Sequence, residues 1–144
     1  MSSISNNQMI TNWLSFTNLQ TKITNELERT LQENHQLSLK EFYVLLFLSE
    51  TPEKKLRLQE LQNMVGLSQS AMSRLVSRFE EKGCGALKRH ICIDDRRAIY
   101  TSLTEEGEKK LELASVTLNR ALENIFSDVA INEELKKYIE LFNR

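Results

Sequence analysis

The chain has 144 residues and a net charge of −1, with 40% hydrophobic and 27% charged residues, four glycines, one proline and two cysteines. That length fits one domain with a real core. So little glycine and proline excludes a loop-rich β-sandwich in favour of a mostly helical protein, and two cysteines do not make a disulfide framework.

The first segment carries Ile10, Trp13, Leu14, Thr17, Ile23, Leu27 and Leu31 at mostly helical spacing, which predicts one long amphipathic helix over Ile10–Leu31. The start MSSISNNQMITNW has neither a basic n-region nor a long apolar stretch, so no secretory signal is expected. Ser38 with Glu41 forms a capping box, in which hydroxyl and carboxylate each satisfy an orphan amide. A second helix follows over Leu39–Ser49, and Pro52 prevents its continuation. It is apolar nearly all round, which places it at the centre. Its run VLLFL (Val44–Leu48) is far too short to cross a membrane, so a cytoplasmic protein is expected.

Leu58, Leu61 and Val65 mark one face of a short third helix, broken at Gly66, where glycine tolerates the left-handed conformation of a tight turn. Leu67 points inward and Ser68 is a good N-cap. Met72, Leu75, Val76 and Phe79 form the buried face of a fourth helix that ends at Gly83. Two short helices joined by a glycine-containing turn are the helix-turn-helix pattern. Gln62 departs from it, standing where such units usually carry a small residue. The exposed face of the fourth helix is Ser68, Gln69, Ser70, Ser73, Arg74, Ser77 and Arg78. Serine costs helix propensity, so this face has another purpose. Short hydroxyls, an amide and arginines suit a helix that enters a major groove to read base edges and grip phosphates.

The stretch ALKRHICIDDRRAIYTSLT reads as two antiparallel strands, Ala86–Cys92 and Ala98–Leu103, joined by a tip of two acids and two arginines. A hairpin directly after a recognition helix is a wing. Thr104 caps a further helix, with Glu105 and Glu106 favoured in its first turn by the helix dipole. Leu111, Ala114, Leu118, Ala121, Leu122, Ile125 and Val129 keep helical spacing, and this helix is expected to run to Asp128. A last helix, INEELKKYIELF, repeats the pattern with Ile131, Leu135, Tyr138, Ile139 and Phe142. These long stripes exceed what one small core needs, so part must cover another surface, and a homodimer is expected.

Charge follows the same division. Between Arg57 and Arg97 stand eight Lys or Arg against five acids, a local +3, while the rest of the chain is −4. A basic middle between acidic flanks implies an anion-binding surface.

GLSQSAMSRLVSRFEEKG followed by DDRRAIYTSLTEEG resembles the MarR family of winged helix-turn-helix transcription regulators, whose wing tip reads DxRR and leads into LTxxG. The resemblance covers nearly the whole chain in order. It implies a mainly α fold with a small β-hairpin wing: a winged helix-turn-helix with N- and C-terminal dimerisation helices. One domain, 1–144, would divide into a DNA-binding lobe at 35–103 and dimerisation helices at 1–34 and 104–144. On the family pattern Arg97 enters the minor groove and Asp95 orients it; Arg96 is then a candidate for the backbone, and Asp94 for bracing the tip or the neighbouring subunit, with an exposed ion-pair cluster as the plainer reading. A narrow minor groove concentrates negative potential and attracts a guanidinium, and a pre-oriented arginine loses less entropy on binding. The entry CGALKRHICI is longer than the common family form, which leaves the aim of Lys88 and Arg89 open.

The candidate DNA-binding residues are therefore Ser68, Gln69, Ser70, Ser73, Arg74, Arg78, Lys88, Arg89, Asp95, Arg96 and Arg97. Cys84 and Cys92 are candidate oxidation sensors, with small apolar filler as the plainer reading. With His90 they lack a CxxC knuckle and a clear fourth ligand, so neither metal nor other cofactor is expected. Trp13, Phe16, Phe42, Tyr43 and Phe47 are candidates to line a pocket for a small-molecule effector, or equally core residues. No phosphate-binding glycine loop, HExxH or GxSxG is present, so no enzyme is expected. The expected partner is double-stranded DNA with a pseudo-palindromic operator, bound by a homodimeric repressor that a ligand or oxidant releases. The alternative is a winged-helix protein-interaction module that does not read DNA.

Overall fold

The computed structural model describes residues 2–80, 85–91 and 99–143, with the backbone alone for 2–6 and 91. Helix α1 spans Ser2–His35, starting well before the expected Ile10. Gln36 leaves it with φ 53°, and Leu37 turns into the core. At α2 (Leu39–Ser49) the capping box forms as anticipated: the Ser38 hydroxyl accepts the Glu41 amide at 3.1 Å, and the Glu41 carboxylate accepts the Ser38 amide at 2.6 Å. The Leu39 amide donates to Glu28 of α1 at 3.0 Å, so a second orphan donor is satisfied from outside the helix.

Strand β1 (Lys55–Arg57) was not anticipated. Three residues with one apolar side chain carry no alternation to detect, and the strand exists because β3 offers it a ladder. Helix α3 (Leu58–Val65) ends at Gly66, which takes φ 77° and ψ 37°. The carbonyl of Gln62 accepts the amides of Gly66 at 2.9 Å and Leu67 at 3.3 Å, and Lys40 caps the Val65 carbonyl at 2.8 Å. Helix α4 (Gln69–Phe79) begins at the Ser68 cap, whose hydroxyl accepts the Ala71 amide at 3.2 Å. It ends at Phe79, short of the expected Gly83, because Glu80 leaves helical geometry with ψ −166°.

Strands β2 (Leu87–Ile91) and β3 (Ile99–Leu103) pair antiparallel, and the sheet order is β1-β3-β2. Helix α5 (Glu105–Phe126) is capped by Thr104. Helix α6 (Val129–Phe142) starts at Asp128, whose carboxylate accepts the amides of Ala130 and Ile131 at 2.9 and 3.2 Å. An aspartate that satisfies two orphan donors starts a new helix, which is why α5 ends at Phe126 rather than reaching Asp128.

One core joins Leu27 and Leu31 of α1, Val44, Leu45 and Leu48 of α2, Leu61 of α3, Met72 and Val76 of α4, Leu87 and Leu103 of the wing, and Leu111 and Ala114 of α5. Among the described residues no helix is long and apolar enough to cross a membrane.

Candidate nucleic-acid interface

Helix α4 divides its sides cleanly. Met72, Leu75, Val76 and Phe79 are buried, while Ser68, Gln69, Ser70, Ser73, Arg74, Ser77 and Arg78 are all exposed. The αL turn at Gly66 sets α4 on α3, and the shared core beneath holds it there. The outward face is polar, short and cationic, with the dimensions a major groove admits.

Its cations are not equivalent. Arg74 makes no ion pair or hydrogen bond with any described residue, and neither does the ammonium of Lys88 on β2. Arg78 pairs with Glu41 at the start of α2 and lies over the Phe79 ring, 5.3 Å from its centroid. Arg89 donates to Glu80 at 2.8 Å. The structure thus commits two of the four to carboxylates of the protein, and sets Lys88 and Arg89 on opposite faces of β2.

Sheet register adds residues that the sequence reading missed. Lys55, Ser102 and Lys88 lie in one row across the three strands, and Arg57, Tyr100 and His90 in the next row on the same face. Lys55 and Arg57 sit 5.4 and 5.7 Å from the centre of the Tyr100 ring, and Arg57 donates to the Tyr100 hydroxyl at 3.2 Å. His90 and Ser102 are hydrogen-bonded at 2.8 Å. This outer face carries three cations and a tyrosine. Its only sequence signal was the KLR triplet, which is too short to read as a strand.

The LTxxG element proves to be a brace for the wing. The Thr104 amide donates to the Ala86 carbonyl at 3.1 Å, its hydroxyl donates to the Gly85 carbonyl at 2.6 Å, and the same oxygen accepts the Gly107 amide at 3.1 Å. A Cβ at Gly107 would collide with the Ala86 carbonyl and the Leu103 side chain. Glycine is therefore required by close approach of α5 to the foot of β2.

The wing-tip candidates Asp94, Asp95, Arg96 and Arg97 lie outside the described residues, as do Cys84 and Cys92. No group of three His, Cys, Asp or Glu side chains that could hold a metal ion occurs among the described residues. The five candidate pocket aromatics fall into two separate clusters. Phe42, Tyr43 and Phe47 stack within α2 and pack in or against the core. Trp13 and Phe16 join Tyr138 and Phe142 where α1 meets α6. A cavity of about 440 Å³ opens between α1 and α6, lined by Ser15, Lys22, Asp128, Glu134 and Tyr138 among others, and by none of the five. Burial and the Glu134 carboxylate beside it push the Tyr138 hydroxyl above its ordinary pKa.

A model of the MarR family matches residues 35–98, from the end of α1 into the wing. An uncharacterized HTH-type transcriptional regulator of Bacillus cereus is 30% identical over 131 residues, covering 91% of this chain and 82% of that protein. Sco3205, a MarR family transcriptional regulator from Streptomyces coelicolor solved in complex with DNA, superposes with a TM-score of 0.76 at 26% identity, over 94% of this chain and 83% of that one. The transcriptional regulator BldR from Sulfolobus solfataricus does so with 0.73 at 25% identity, over 97% and 96%. Helix-turn-helix, wing and sequence likeness agree: the chain belongs to the MarR family and is a DNA-binding transcriptional regulator, not an enzyme.

Proposed function

We propose that the protein is a homodimeric repressor that binds a pseudo-palindromic duplex operator and is released by a small ligand or an oxidant. The exposed face of α4 carries this reading. Ser68, Gln69, Ser70, Ser73 and Arg74 enter the major groove, and the wing places Arg97, oriented by Asp95, in the adjacent minor groove with Arg96 on the backbone. Half-sites then lie about 10 bp apart, one helical turn, centre to centre.

Dimerisation is supported by apolar side chains that one chain leaves uncovered. Ile10, Trp13 and Leu14 of α1, Leu113 and Val116 of α5, and Val129 and Ile139 of α6 are each more than half exposed. A lone soluble chain does not favour so many, and a twofold partner covers them while matching the symmetry of the operator. Release would follow from a change in the spacing of the two lobes, driven by a bound effector or by oxidation at Cys84 or Cys92.

Fluorescence anisotropy of the full chain against its own upstream intergenic DNA, beside a scrambled duplex of equal length, tests the reading. Tighter binding to the native duplex is expected, and Arg74→Ala should cost roughly 1–3 kcal/mol of that affinity if Arg74 reads a base. Equal and weak binding to both, unaffected by Arg74→Ala, would overturn it in favour of the protein-interaction module.

A further inference from the structure

Two candidate DNA-binding arginines are held by acids of the protein itself, and both pairs involve the C-terminal end of α4. Arg78, in the last turn, pairs with Glu41. That carboxylate is 6% exposed, and its other oxygen accepts the Ser38 amide at the start of α2. Without Arg78, a buried charge would lose its cation. Glu80, the C-cap of α4, accepts from Arg89 of β2 at 2.8 Å. The end of α4 is thus tied to α2 by one ion pair and to the wing by the other. Arg74 and Lys88 have no such ties among the described residues.

The geometry points to Arg78 and Arg89 as positioning residues, which lock α4, α2 and the wing into one reading head, and not as DNA ligands. Direct contact with the DNA falls to Arg74 and Lys88. This rests on the reading above that α4 and the wing engage the operator together. Electrostatics makes the two roles separable. A cation on phosphate contributes about one unit to the slope of log affinity against log salt, and its loss weakens binding to every sequence alike. A positioning pair leaves the slope and the non-specific affinity intact and lowers affinity for the correct site. The sign for Glu41 is more telling still. Removing an acid near DNA ordinarily tightens binding, whereas removing an acid that aims α4 weakens it. Glu41→Gln isolates this effect, because glutamine at that position still completes a capping box.

The experiment uses the full chain, a duplex selected from a random library by the parent protein, and a non-selected duplex of equal length. Anisotropy is recorded across a salt series. Expected are losses of roughly three- to tenfold on the selected duplex for Glu41→Gln and Arg78→Gln, with unchanged slope and unchanged binding to the non-selected one. For the pair whose acid is less buried, Arg89→Glu should weaken selected binding, and adding Glu80→Arg should recover it by rebuilding the bond with reversed polarity. Tighter binding by Glu41→Gln, a slope lowered by about one in Arg78→Gln, or no recovery in the charge swap would overturn the inference while leaving the operator reading intact. A parent that selects no sequence would overturn both.

Discussion

Gly107, in the first turn of α5, leaves no room for a side chain beside the carbonyl of Ala86 at the foot of the wing. Alanine is ordinarily the better helix former by about 1 kcal/mol. Here the sign reverses. Gly107→Ala should destabilise the fold by roughly 1–3 kcal/mol, as overpacked substitutions do, and should displace the wing it touches. Urea denaturation gives the first quantity. DNA affinity measured well below the transition gives the second, and a stabilised variant would refute the account.

Ser68 has two roles that substitution can separate. Its hydroxyl caps α4 through the Ala71 amide, and it stands at the leading edge of the exposed face. Ser68→Ala should cost about 1 kcal/mol of stability through loss of the cap. Ser68→Asp keeps the cap but brings a negative charge to the phosphates. It should hold the parent's melting temperature and still bind duplex DNA more weakly than Ser68→Ala does.

Ile139 of α6 is 64% exposed. Ile139→Glu should leave the far-ultraviolet circular dichroism of the chain unchanged and convert a dimer to monomers in sedimentation velocity. Operator affinity should fall by more than about tenfold, because one half-site alone cannot replace two linked ones. A variant that stays dimeric would move the interface away from α6.

His35 lies 2.6 Å from the Thr117 hydroxyl and beside Lys110, which caps the His35 carbonyl at 3.1 Å. Burial first, and the Lys110 charge second, hold its pKa below the ordinary 6.5. The folded state therefore binds fewer protons here than the unfolded chain. Stability present above pH 6.5 is lost as the pH falls through that value towards the lowered folded one. His35→Gln should flatten this part of the stability profile relative to the parent, as followed by urea midpoints between about pH 7 and 5. An identical slope in both proteins would assign the pH dependence to other groups.

Much of the scaffold is written in short-range chemistry. The capping box of Ser38 and Glu41, the αL turn at Gly66 and the caps at Ser68 and Thr104 each act over three or four residues, so a single sequence displays them. The exposed face of α4 follows from helical period, and all seven of its expected residues point outward. The surroundings of the candidate pocket aromatics are not local in this way. Aromatic type does not say which helix a ring will meet, and Trp13 and Phe16 pack towards α6, apart from Phe42, Tyr43 and Phe47.

The order of the helices, the helix-turn-helix and the exposed polar face of α4 are legible in the chain alone, because periodicity and capping are local properties. Tertiary structure alone decided the rest. It laid β1 against β3 and so set Lys55 and Arg57 around Tyr100. It also chose Glu41 for Arg78 and Glu80 for Arg89, leaving Arg74 and Lys88 without partners among the described residues. A charged side chain of four or five rotatable bonds can meet many acids, and only the packed core beneath it settles which one lies within reach.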